Sequence, residues 1–146
     1  MTGLPPFLVE NSGLNSGFMI AQVTAAALAS ENKTYAHPAT IDSLPTSGNQ
    51  EDHVSMATFA GMKLIKINQN VNQILAIETL AACQAIDLRR PYKTSPELEG
   101  YFQAIRQVVP YYKEDRWMGL DIEMALKVMT QNSYYGHLYE KIHNDI

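Results

Sequence analysis

Apolar residues recur at alternating three- and four-residue steps from Ala57 through Ala60, Leu64, Ile67, Val71 and Ile74 to Ala81, Ala85 and Leu88. That spacing lines one face of a helix. With Glu78 filling the remaining step, it makes a heptad-like seam with one polar intruder. Carried back to Glu51 or Asp52, the helix covers about 37 residues, roughly 55 Å, which is longer than a small domain is wide. The rest of this chain cannot cover such a face, so the pattern calls for partner surfaces. A carboxylate on the seam needs an Arg, a Lys or a buried polar network against it.

A second run begins at Ser16, a suitable cap, and extends to about Asn32. Ala21, Ala25, Ala26, Ala27 and Ala29 give it high helix propensity and little bulk, which suits burial in a bundle. Arg89-Arg90-Pro91 ends the long helix. Ser95-Pro96-Glu97 then reads as cap, first-turn proline and acid, starting a third helix that runs to about Val109, where Pro110 stops it. Asp121 can cap a short fourth helix, Ile122 to Gln131. Met1 to Ser16 and Lys33 to Gly48 carry prolines and glycines in place of a period. After Asn132 the tail is rich in tyrosine (Tyr134, Tyr135, Tyr139) and is expected at the surface. Strand patterns are poor throughout. The expected class is all-α, a bundle of long helices.

Composition narrows the functional classes. The chain has 146 residues, 46% of them apolar, enough for one domain with a core. Its formal charge is −4, from 11 basic and 15 acidic residues, with no basic patch to engage nucleic acid. Cys83 is the lone cysteine, so no internal disulfide can form, and its apolar neighbours make it a small buried hydrophobe. No apolar run reaches membrane-spanning length, and no basic-then-hydrophobic leader opens the chain. A cytoplasmic location is expected.

The densest chemistry lies in Leu44 to Met56, LPTSGNQEDHVSM. A breaker cluster, Pro45 to Gly48, precedes Asn49, Gln50, Glu51, Asp52 and His53. The plain reading of Glu51 and Asp52 is helix N-terminal carboxylates favoured by the macrodipole. Adjacent helical residues point about 100° apart, so Glu51, Asp52 and His53 do not converge on a metal ion, and no metal is expected. No nucleophile elbow supports a serine hydrolase. The glycine-rich Gly13 and Gly17 region lacks the Lys-Ser/Thr ending of a phosphate-binding loop, and its glycines instead suit positive φ in a backbone that must pass close to other structure. Met19, taken alone, is ordinary core filling.

Two longer stretches carry more. Leu4 to Lys33 (LPPFLVENSGLNSGFMIAQVTAAALASENK) and Asp42 to Met56 (DSLPTSGNQEDHVSM) resemble the C-terminal part of the histidine ammonia-lyases, a branch of the aromatic amino acid lyase family. The likeness continues through LAIETLAACQAIDLRR (Leu75 to Arg90) and fades after about Lys93. Residues 1–93 thus carry the closest resemblance, and 94–146 form a helical tail of the same single region. The family generates an electrophilic methylidene-imidazolone (MIO) group from its own Ala-Ser-Gly backbone. Here Ala29-Ser30 is followed by Glu31, and Ser12-Gly13 and Ser16-Gly17 follow asparagines. The chain is therefore expected to be a fragment whose missing N-terminal part supplies that group and the catalytic tyrosine.

The resemblance implies elimination of ammonia from L-histidine to give urocanate, in homotetramers whose sites combine residues of several subunits. It assigns Glu51 as the catalytic residue, at a position where the phenylalanine and tyrosine lyases usually have glutamine. It places Met19 in the side-chain pocket, where phenylalanine lyases tend to have lysine, and gives Gln50 a weaker substrate-binding role. A carboxylate suits an imidazole N–H, and a phenylalanine ring offers nothing equivalent. Alone, the chain is expected to be inactive. The alternative is a non-enzymatic helical interaction module that docks on a complete lyase.

Overall fold

The computed structural model describes residues 3–41 and 43–131. Four helices organise them: α1 (Met19–Tyr35), α2 (Ala57–Leu88), α3 (Pro96–Val108) and α4 (Gly119–Gln131). Single 3-10 turns occur at Pro6–Leu8 and Ser47–Asn49, and the described residues contain no strand beyond two isolated bridges. The all-α expectation holds. The tyrosine-rich tail lies outside the described residues.

α2 is the axis. Its 32 residues make a rod of about 48 Å. α1 and α4 pack along it, and α3 closes against both α2 and α4. Its buried stripe is Ala76, Ile77, Leu80, Cys83 and Gln84, all in the C-terminal half. These residues meet Val9, Phe18 and Ala21 from the N-terminal side, and Phe102, Ile105, Val109, Tyr112, Met118 and Ala125 from beyond α2. The seam expected from the periodicity is a different face. Its members, from Ala57 to Leu88, are exposed or half-buried, and Glu78 is exposed. The reason is geometric: the chain's own helices cover the neighbouring face of α2, leaving the heptad face open.

Helix boundaries required three corrections. α2 starts at Ala57, not at Glu51 or Asp52, because the Val54 backbone is committed to a side chain: the Ser43 Oγ accepts from its N–H at 2.8 Å and donates to its carbonyl at 3.2 Å. α1 starts at Met19, since Gly17 sits at φ +56° and Phe18, not Ser16, is the cap residue. α4 starts at Gly119, so Asp121 falls in its first turn and pairs with Arg116 at 2.8 Å, rather than capping. α1 also buries only Ala21 among its described residues, fewer alanines than its composition suggested. The α3 reading was accurate: the Ser95 hydroxyl accepts from Leu98 N–H at 3.3 Å, with Pro96 opening the helix.

Among the described residues the core holds one polar side chain, Gln84, with no exposed surface. Its Nε2 donates to the carbonyls of Leu8 (3.1 Å) and Tyr112 (2.8 Å), and its Oε1 accepts from Tyr112 N–H at 3.0 Å. Arg106 approaches the same Oε1 at 3.5 Å while pairing with Asp87 at 2.7 Å. Gln84 therefore satisfies backbone groups of two irregular segments that have no helix or sheet partner for them. Beside it, burial pushes the Cys83 thiol up to about 11, with Arg106 pulling the other way. That suits a structural, unreactive cysteine.

Replacing Gln84 with leucine leaves the Leu8 and Tyr112 groups unpaired in the interior, so Gln84→Leu should cost about 2–4 kcal/mol in denaturant unfolding. A second expectation concerns acid. Glu99 is clamped by Arg90, which donates to both carboxylate oxygens at 2.6 and 3.2 Å and holds the acid down at about 2. The pair's contribution is complete above the unfolded glutamate's value, about 4.3, and is lost as pH falls towards 2. The stability gap between wild type and Glu99→Gln should stay constant at neutral pH and shrink across that acid window.

Candidate active site

Gln50 and Glu51 sit at the end of a tight exposed turn. Ser47, Gly48 and Asn49 all take positive φ, and Thr46 pairs with Glu51 across the turn: Thr46 N–H donates to Glu51 O at 2.9 Å, and Glu51 N–H donates to Thr46 O at 3.3 Å. Positive φ at three consecutive positions explains the Ser-Gly-Asn sequence, since glycine and asparagine tolerate that region best. Glu51, Asp52 and His53 follow in non-helical, exposed backbone. The turn thus displays the Glu51 carboxylate from a backbone frame that does not depend on α2. Glu51 and Asp52 do not serve as helix N-terminal carboxylates.

Met19 occupies a separate place, the first residue of α1, partly exposed at 37%. It lines a groove of about 590 Å³ formed with Phe7, Leu8, Phe18, Gln22, Ala25, Ile74, Ile77, Glu78 and Ala81. The wall is almost wholly apolar; Glu78 is its one charged group and Gln22 its one amide. Periodicity marked Glu78 as a polar intruder, and the structure gives it a location, facing the Met19 groove. Glu51 is not in the wall of this groove.

The groove's α1 wall is set by a lock that local sequence reading does not reveal. The Asp115 carboxylate accepts from Ser16 N–H (2.7 Å) and Gly17 N–H (2.9 Å), and its own N–H donates to Asn15 Oδ1 at 3.1 Å. Tyr112 hydroxyl donates to the same carboxylate at 3.3 Å, and the Phe18 ring packs edge-on against the Tyr112 ring at 5.5 Å. These N–H bonds, foremost those of Ser16 and Gly17, hold Asp115 below the usual carboxylate range. Phe18 N–H donates to Phe7 O at 2.8 Å, pulling the two aromatic walls together. Gly17 is required at this crossing: a Cβ would lie 2.5 Å from Phe7 O and 2.6 Å from Val9 Cγ1.

No group of three His, Cys, Asp or Glu able to hold a metal lies among the described residues. None of their helices is long and apolar enough to cross a membrane.

The aromatic amino acid lyase family model matches residues 1–107, well over half of the chain. The chain belongs to the aromatic amino acid lyase family. It is 61% identical over 141 residues to the histidine ammonia-lyase of Desulfotalea psychrophila, covering 97% of this chain and 27% of that protein. With the Vibrio cholerae histidine ammonia-lyase it shares 62% over 125 residues, 86% of this chain and 24% of that one. Among solved structures, the Trypanosoma cruzi histidine ammonia-lyase superposes with a TM-score of 0.86 at 52% identity, over 91% of this chain and 26% of that one. A tyrosine aminomutase from Streptomyces globisporus gives 0.85 at 37% identity, over 94% and 26%. The helical arrangement is therefore shared by lyases and aminomutases of the family. The chain spans about a quarter of the length of these relatives.

The family's MIO group does not fit this chain. Every Ser-Gly pair in the sequence follows Asn or Thr, so no Ala-Ser-Gly precursor is present.

At the Gly17 crossing, Gly17→Ala combines a left-handed φ with two steric clashes. It should lower stability by about 1–3 kcal/mol, measured by thermal or denaturant unfolding.

Proposed function

We propose that this chain is the C-terminal part of a histidine ammonia-lyase, contributing one wall of a site that converts L-histidine to urocanate and ammonia. The observation that carries this reading is the 61% identity over nearly the whole chain to a histidine ammonia-lyase, well above the 37% to an aminomutase of the same fold. Glu51 is the catalytic residue. Displayed on its own turn, its carboxylate accepts the imidazole N–H and supports positive charge that develops on the substrate. Met19 lines the side-chain pocket with a flexible thioether that fits a planar ring. Gln50 orients the turn or contacts substrate. Asp52 and His53 serve packing.

The electrophile and the principal base come from polypeptide outside these 146 residues, and the chain's surface suits such a partnership. Phe59, Met62, Leu64, Ile65 and Leu75 of α2 are all more than 40% exposed, as are Ile20 and Val23 of α1. An apolar stripe of that extent needs covering. The remainder of a lyase, in a homotetramer, covers it. The same stripe is compatible with the second reading, an interaction module that docks on a complete lyase without contributing chemistry.

Ultraviolet detection of urocanate tests both. The 146-residue chain with L-histidine should give no product, while a complete lyase carrying this segment should turn over. In that lyase, Glu51→Gln should reduce turnover by about 100-fold or more. Undiminished turnover in Glu51→Gln would remove Glu51 from the role, and product from the isolated chain would overturn the requirement for an external electrophile.

A further inference from the structure

Asp115 stands out because, besides accepting from the nearby Tyr112 hydroxyl, its carboxylate reaches far from its own segment. It lies in the irregular segment between α3 and α4, yet both carboxylate oxygens are spent on Ser16 and Gly17, almost a hundred residues earlier. Those two N–H groups immediately precede α1, whose cap residue Phe18 makes no side-chain capping bond. A carboxylate there both satisfies free donors and faces the positive end of the helix dipole. Asn15 returns the contact by accepting from Asp115 N–H, so the two segments grip each other from both sides.

The next residues along the chain are Phe18 and Met19, which form one wall of the groove opposite Glu78. The register of α1's first turn therefore decides where the Met19 thioether lies, and Asp115 fixes that register. We propose that Asp115 is a positioning residue for the substrate pocket, acting through Ser16 and Gly17 to hold the α1 wall that carries Met19. The inference rests on reading Met19 as a pocket residue. It adds a determinant from the segment after α3.

The mechanism is preorganisation. When the carboxylate is removed, two N–H groups lose their acceptor and the Asn15–Phe18 backbone gains freedom at the point where a positive-φ glycine already makes a sharp crossing. The substrate must then order the wall as it binds, which weakens binding more than it slows the chemical step.

The test uses the full-length lyase carrying this segment, with Asp115→Ala, Asp115→Asn, Met19→Ala and the Asp115→Ala/Met19→Ala double variant. Asp115→Ala should raise KM for L-histidine about tenfold while kcat stays within about threefold, and Asp115→Asn, which keeps one acceptor oxygen, should fall between it and wild type. Because Asp115 acts through Met19's wall, the double variant should have a KM no worse than the more affected single variant. Amide hydrogen exchange should accelerate in residues 16–22 and remain unchanged in α3. Wild-type KM in Asp115→Ala, additive KM effects in the double variant, or a loss confined to kcat would overturn the proposal. Absence of turnover in the unmutated lyase would instead defeat the functional reading on which it rests.

Discussion

One buried amide holds this chain together. Gln84 sits on the axial helix at the point where two irregular segments, around Leu8 and around Tyr112, run through the interior with peptide groups that no helix can satisfy. Helices solve their own hydrogen bonding; loops brought inside must have it solved for them. A single glutamine provides two donor protons and an acceptor oxygen. The apolar residues around it, Ile77, Leu80, Ile105 and Val109, supply the driving force for burial but cannot specify which loop groups meet. Gln84 supplies that specification, and Arg106 extends the network to Asp87 on the same helix.

The elements were largely readable because they follow local rules. The Ser95-Pro96 start, the Arg89-Arg90-Pro91 stop and the long apolar period each act within a turn or two of the helix they define. What was not readable was which face of α2 this chain covers for itself. The periodic seam and the buried stripe are adjacent on the same rod, and both contain enough apolar residues to serve. The choice depends on where α1 and α4 pack, which no local pattern encodes. The start of α2 was misplaced for a similar reason. Glu51 and Asp52 look like helix-opening carboxylates, but Ser43, eleven residues before Val54, ties Val54 outside the helix, which begins only at Ala57.

The site divides along the same line. Glu51, Gln50 and Met19 were singled out through long stretches of resemblance, and they lie at a positive-φ turn and at a helix start. Gly17 was reached only as a glycine whose backbone must pass close to other structure, without its partners, and Asp115 was not reached, because each gets its partners from distant parts of the chain. Asp115 within Lys113-Glu114-Asp115-Arg116 is one acid among charged neighbours, and Gly17 is one of several glycines in a loop. Only folding makes the first a cap for a distant helix and the second a crossing point with Phe7 and Val9.

The grip between Asp115 and the Ser16–Gly17 backbone also has a consequence in time. Closing a loop of almost a hundred residues carries an entropic cost that no nearby contact repays in advance. During synthesis the segment around Met19 leaves the ribosome before its native acceptor, which follows only after α1, α2 and α3. Until then the Ser16 and Gly17 N–H groups lack the carboxylate that locks them. This wall of the groove therefore takes its final backbone lock only once the segment that follows α3 is in place.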